Sequence, residues 1–174
     1  QRQMCIRDRI HTVETHLIGS YNLDNALVAV AVGRFFKIPA ERISRAITAY
    51  EPTNNRSQLK KTENNELIID AYNANPSSMK VALDNFATMP VSPKALILGD
   101  MRELGPTSDE LHTEVVARIK EGNYDKVFLC GEHFQKAAGK DFTTYATTEE
   151  LIEALRKNPW EGYHVLIKGS HGMA

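Results

Sequence analysis

Cysteine is scarce. Cys5 and Cys130 are the only two, they lie far apart, and they match no CxxC spacing. This excludes a disulfide framework and a thiolate zinc ribbon, and a reduced, cytoplasmic setting is the simple reading. An excess of one charge is also missing. There are 21 basic against 22 acidic residues, a formal charge of −1, and no basic block. No nucleic-acid partner is therefore expected. No apolar run approaches the roughly 20 residues a membrane helix needs, so no membrane insertion is expected. The six histidines show no metal-ligand spacing, and HTEVV at 112–116 is not HExxH, so no metal site is expected in this chain. There is no GxSxG elbow, no GxxxxGK[ST] phosphate loop, and no GxGxxG after any strand-like run.

What is present is ordinary for a soluble globular chain: 42% hydrophobic and 25% charged residues. A length of 174 residues suits one domain, or one domain plus a piece of another, with a sizeable core. QRQMCIRDR, residues 1–9, has no clear period and no secretory apolar core. It reads as a non-native leader outside the fold. Both ends suggest a fragment, because the sequence stops at HGMA, where an element would begin.

Residues 22–36 place Leu23, Ala26, Leu27, Val30 and Ala31 at helical spacing, with Asn22 suited to cap the start. Residues 38–50 give a second helix with Ile43, Ala46, Ile47 and Tyr50 on one face and Pro39 at its start. EPTNNRSQ, 51–58, has no period and reads as a linker. The expected boundary separates a helical piece at 10–52 from a second domain at 53–174.

Beyond the linker the pattern alternates. Runs at 66–72, 94–100, 126–131, 143–146 and 164–170 read as strands, and 77–88, 108–121, 132–139 and 148–157 as helices. TSDE at 107–110 and TTEE at 147–150 have the capping-box pattern. Strands that are apolar throughout fit a sheet covered on both faces. The βα alternation then predicts an α/β fold, a doubly wound and mainly parallel sheet.

Ligands in such sheets sit beyond the carboxyl ends of strands. IIDAYNANPSS, 68–78, lies at one such end. Asp70 there offers a carboxylate for a ribose diol, with Tyr72, Asn73 and Asn75 as a ring and amides. The same residues equally suit a polar strand-to-helix turn. LGDMRELG, 98–105, brings Asp100 and Glu103 to a second strand end, or is a glycine turn with solvated acids. IKGSHGM, 167–173, brings Lys168, Ser170 and backbone amides to a third, as an anion site or as a plain turn. Asn22 and Asn25 share one helix face, to read an adenine edge or simply to cap. Arg56 in the linker is a phosphate partner or a solvated cation.

Taken in order, GSYNLDN, the arginine of NNRSQ, DAYNANPSSM, LGDMRELG, a following His112 and LIKGS form a series. That series resembles the Mur ligase family, and most closely its D-alanyl-D-alanine-adding branch, over about residues 16–174. The resemblance implies a Rossmann-like carboxyl-terminal domain preceded by the last helices of a central ATPase domain. It implies an ATP-dependent ligase of bacterial peptidoglycan synthesis. ATP would phosphorylate the terminal carboxylate of a UDP-N-acetylmuramoyl-tripeptide, and the amine of D-Ala-D-Ala would attack the acyl phosphate.

By the same resemblance Asn22 and Asn25 face adenine, Arg56 approaches the phosphates, and Asp70 is associated with the ribose. Tyr72, Asn73, Asn75, Asp100 and Glu103 face an interdomain cleft with the acceptor dipeptide, and Lys168 and Ser170 fall in the closing loop. His171 departs from the KGSR that the family commonly shows. The phosphate loop and the ligands for Mg2+ are expected upstream of this sequence, and so is an inactive fragment. Two alternatives remain at this point. One is another Mur or folylpolyglutamate-type ligase, against which DAYNANP argues. The other is a non-catalytic nucleotide-binding or interaction domain.

Overall fold

A computed structural model describes residues 2–6, 9–19, 22–53 and 55–171, with side chains from residue 12 onward. The chain divides into two units, 1–53 and 54–174.

The first unit opens with strands β1 (Arg2–Ile6) and β2 (Arg9–Val13), paired antiparallel from Arg2↔Val13 to Ile6↔Arg9. The stretch set aside as a leader thus contributes one side of a hairpin ladder. Helix α1 (Asn22–Phe35) follows, with Asn22 as its first helical residue, and then α2 (Ala40–Thr48). Ile43 and Ile47, four apart on α2, are buried with Val30 and Val13. The helices meet at Gly33, where a β-carbon would come within 2.9 Å of Ile43 Cδ1. A larger residue there would have to displace the Ile43 side chain.

The second unit is a six-stranded sheet. Its strands are β3 (Gln58–Lys61), β4 (Glu66–Asp70), β5 (Lys94–Gly99), β6 (Lys126–Cys130), β7 (Thr143–Tyr145) and β8 (His164–Lys168). The order is β3-β4-β8-β5-β6-β7, and only β3 runs antiparallel to its neighbour. The connecting helices are α3 (Pro76–Thr88), α4 (Ser108–Glu121), α5 (Glu132–Ala138) and α6 (Thr148–Lys157).

The chain steps outward from β4 through β5 and β6 to β7, and α6 then carries it back to lay β8 between β4 and β5. Right-handed crossovers put α3, α4 and α5 on one face and α6 on the other, which is the doubly wound arrangement. The predicted α/β class therefore holds. Leu96, Leu98, Leu129, Phe134, Met79, Leu83 and Phe86 are almost wholly buried between the sheet and α3–α5. Each such side chain contributes about 1.5–3 kcal/mol.

On the α6 side, Trp160 packs on Ala95 and Val165, with Phe128 and Leu155 against them. The central strands β5 and β8 carry apolar runs at 95–98 and 165–167 because both their faces are covered. This fixes the strands' carboxyl ends, and with them the loops at 71–75, 100–104 and 169–171.

Candidate functional site

Asp70 is the last residue of β4, and its register partner on β8 is Lys168. Parallel pairing at that point sets the two side chains together. Lys168 Nζ donates to Asp70 Oδ2 at 2.7 Å and to the Asn73 carbonyl at 3.1 Å. The backbone N–H of Ser57 donates to Asp70 Oδ1 at 3.2 Å. Lys168 is 2% exposed, so its ammonium is committed inside the protein. Of the two readings open for Lys168, an anion site or a plain turn, this pairing counts against an external anion, because the carboxylate one strand away takes the charge. Asp70 keeps acceptor capacity. A carboxylate has about four lone-pair directions, and these bonds leave room for a diol.

The loop after β4 carries Tyr72, which is 48% exposed. The Arg56 guanidinium carbon lies 3.8 Å from the centre of its ring, and the His171 ring centre lies 6.4 Å away. Asn73 is exposed and accepts the Ala74 N–H on its own side chain at 2.8 Å. Asn75 caps the helix that follows. Its side chain accepts from Ser78 N and from the Ser77 hydroxyl, both at 2.8 Å, while Ser78 Oγ accepts the Asn75 N–H at 3.1 Å. With Pro76 at the first turn, this box starts α3.

The end of β5 is built differently from what the sequence suggested. Asp100 is largely buried, lines the cleft beyond β5, and has its charge met by backbone donors. Its carboxylate accepts the N–H groups of Phe134 at 2.9 Å and His133 at 3.1 Å, closing the start of α5. Gly131 allows this approach; with φ +117°, its missing β-carbon would fall 2.2 Å from Asp100. Ser170 is likewise internal. Its hydroxyl accepts the Arg102 N–H at 2.9 Å, and its own N–H donates to the Asp100 carbonyl at 3.4 Å. Gly169 and Gly99 pass within 3.3 Å where a β-carbon would stand, which draws the ends of β8 and β5 together. Glu103 is exposed with φ +64°.

Sequence reasoning gave His112 no role beyond its place in the series. It is fully buried; Met101 N–H donates to its Nε2 at 3.0 Å, and its Nδ1 lies 2.6 Å from the Ser108 carbonyl. One nitrogen accepts and the other donates, so the ring is neutral. Desolvation pushes its pKa below 6.5, against the pull of the Ser108 carbonyl and Asp100. The signal was there: Ser108 and His112 are four apart on a helix. Beside them a cleft of about 400 Å³ is lined by Arg102, Glu103, Ser108, Glu132 and His133. The exposed Asp109 holds His133 Nδ1 at 2.6 Å, and that bond keeps its carboxyl below the usual range.

In the first unit, Asn25 Nδ2 donates to Asn22 Oδ1 at 3.0 Å, and Asn22 Nδ2 to the Ile18 carbonyl at 2.6 Å. The two amides therefore share one face, as their spacing predicts. In the second unit Arg56, Asp70, Tyr72, Asn73 and Lys168 form one constellation, tied to Asp100 through Ser170. Among the described residues, no group of three or more His, Cys, Asp or Glu side chains is placed to hold a metal.

This architecture can be set beside known proteins. UDP-N-acetylmuramoyl-tripeptide–D-alanyl-D-alanine ligase of Bacillus subtilis (strain 168) is 34% identical over 170 residues, 90% of this chain and 36% of that protein. The chain thus spans little more than a third of that relative. A crystal structure of MurF from Acinetobacter baumannii superposes with a TM-score of 0.85 at 24% identity, over 98% of this chain and 39% of that one. MurF ligase from Thermotoga maritima in complex with ADP gives a TM-score of 0.78 at 19% identity, over 99% of this chain and 43% of that one. These two likenesses speak to the fold. The family model described as "Mur ligase, glutamate ligase domain" matches residues 55–171. That span covers all three strand-end loops and the Lys168–Asp70 pair, and this chain belongs to the Mur ligase family.

Proposed function

We propose that this chain is the carboxyl-terminal part of an ATP-dependent ligase that joins D-alanyl-D-alanine to UDP-N-acetylmuramoyl-tripeptide in the bacterial cytoplasm. The observation that carries the reading is Asp70. It stands at a strand's carboxyl end, oriented by Lys168 and the Ser57 amide, beside the Arg56–Tyr72 stack. The Bacillus relative is named for these substrates, and the Thermotoga MurF ligase is complexed with ADP, which supports the nucleotide.

The ligation has two steps. A carboxylate oxygen of the tripeptide attacks the γ-phosphorus, and ADP leaves. The dipeptide amine then attacks the acyl carbon, phosphate leaves and the amine loses a proton. This chain's residues bind and orient. Asp70 accepts from the ribose diol, and Arg56 pairs with phosphate oxygens. Asn22 and Asn25 offer their amide face to adenine. Tyr72, Asn73 and Glu103 line the acceptor side, while Asn75, Asp100, Lys168 and Ser170 hold the loops in place. Mg2+ offsets phosphate charge in such chemistry. Among the described residues no His, Cys, Asp and Glu side chains gather in threes to hold it, and we assign its ligands to segments outside this chain.

The test is phosphate release with both substrates. It compares residues 10–174 alone with the same residues completed by the remaining segments of a matching ligase. The completed protein turns over only with ATP, tripeptide and dipeptide together, and 10–174 alone gives background. Asp70→Ala raises the KM for ATP more than that for the dipeptide. Turnover by 10–174 alone, or an ATP KM that ignores Asp70→Ala, sinks the reading.

A further inference from the structure

We propose that Tyr72 is a positioning residue for Arg56: its ring seats the guanidinium so that the cation stays in place and unneutralised for a phosphate. This rests on the nucleotide role of Arg56 given above. Three observations carry it. The guanidinium carbon is 3.8 Å from the ring centre, well inside the range of a cation–π contact. Among the described residues no carboxylate is ion-paired with Arg56, and Asp70, which bonds the N–H of the adjacent Ser57, is paired with Lys168. The backbone on both sides of Arg56 is left-handed, with φ +56° at Asn55 and +50° at Ser57. Ser57 is itself fixed by burial and by its bond to Asp70.

Physical chemistry explains why this pairing suits a phosphate. A free arginine side chain has many rotamers, and each must be given up when the anion binds. A carboxylate partner would order it but would also cancel its charge. An aromatic face orders it through the ring quadrupole and leaves the charge intact. The ring is in turn held by its loop, since Lys168 clamps the Asn73 carbonyl one residue on. Tyr72 is nearly half exposed, so core packing gives no reason for a ring at that position.

The test uses the completed ligase and four variants: Arg56→Ala, Tyr72→Ala, Tyr72→Phe and the Arg56→Ala/Tyr72→Ala double. Tyr72→Ala is expected to raise the KM for ATP about 3- to 10-fold, with the rise on ATP rather than on the dipeptide. Tyr72→Phe keeps the ring and restores the KM toward wild type. The double variant is no worse than Arg56→Ala, because Tyr72 acts through Arg56. Additive effects, a rise confined to the dipeptide, or a Tyr72→Phe as impaired as Tyr72→Ala would each overturn the proposal. If Arg56→Ala raises the KM for ATP and Tyr72→Ala does not, only the positioning role fails. If Arg56→Ala itself has no effect, the nucleotide role of Arg56 falls and the positioning role with it.

Discussion

At the scale of single residues, His112 shows how a buried side chain can set the shape of a loop. Its Nε2 accepts the Met101 N–H and its Nδ1–H donates to Ser108, which joins the loop after β5 to the start of α4. Protonation would turn the acceptor into a donor facing a donor. Burial lowers the folded-state pKa below the usual 6.5. The unfolded chain then binds this proton more readily, so the stability from neutral His112 is complete above about pH 6.5 and is lost as pH falls below it. The depressed carboxyls of Asp84, Asp109 and Glu149 act lower, below their ordinary values of 3.8 and 4.5. Denaturant midpoints of residues 54–174 are expected to drop between pH 6.5 and 5, and His112→Gln, which still offers an acceptor and a donor, flattens that drop. An equally steep drop in the variant would free His112 of the role. The spacing of Ser108 and His112 was readable in the sequence, but the fit of Nε2 to Met101 N was not. It depends on where β5 ends relative to α4, a tertiary fact.

At the scale of elements, the sequence was clearest where a period ran long and dimmest where two patterns suit the same function. The helices near 77–88, 108–121 and 148–157 and the central strands lie where apolar spacing puts them. Strand β3 was not foreseen, and only its first residue lies in the expected linker at 51–58, because an edge strand of QLKK carries exposed lysines and needs no apolar face. The cap motifs divided. Thr147 accepts from Glu150 N as its pattern predicts, though Glu150 Oε2 reaches back to Ala146 N rather than to the cap itself. Thr107 makes no cap bond; its hydroxyl donates to the Leu104 carbonyl within the tight turn at Gly105–Thr107 that leads into α4. The full box is at Asn75 and Ser78, and Asn75 is a residue that the sequence offered as a ligand contact. Asparagine serves equally as cap and as hydrogen-bonding site, so residue type alone could not separate the two. Asn75→Ala is expected to cost about 1 kcal/mol of stability. Thr107→Ala, whose hydroxyl bond is exposed, is expected to cost under about 0.5 kcal/mol. Urea unfolding of the two variants ranks them, and the reverse order would mean that the capping assignment is wrong.

At the scale of the whole chain, the two units differ in how well each can satisfy its own surface. The second unit covers its central strands on both faces and buries large side chains such as Phe86, Phe134, Met79 and Leu96 to 1% exposure or less. In the first unit the described buried cluster is Val13, Val30, Ile43 and Ile47. Its α1 is apolar nearly all round, yet Val28 is 62%, Val32 51% and Phe35 80% exposed. A helix apolar on every side is stable in water only when other surfaces cover it. A stretch of about 50 residues with so small a core falls below what the hydrophobic effect can hold against chain entropy. Residues 54–174 expressed alone are therefore expected to unfold cooperatively, with fluorescence and circular dichroism transitions that coincide. Residues 1–53 alone are expected to show no cooperative transition, and to bind a hydrophobic dye through the exposed face of α1 and Phe36. Coincident sigmoidal melting of the isolated 1–53 segment would show that its few buried contacts suffice. The apolar α1 would then need a reason other than a covering surface.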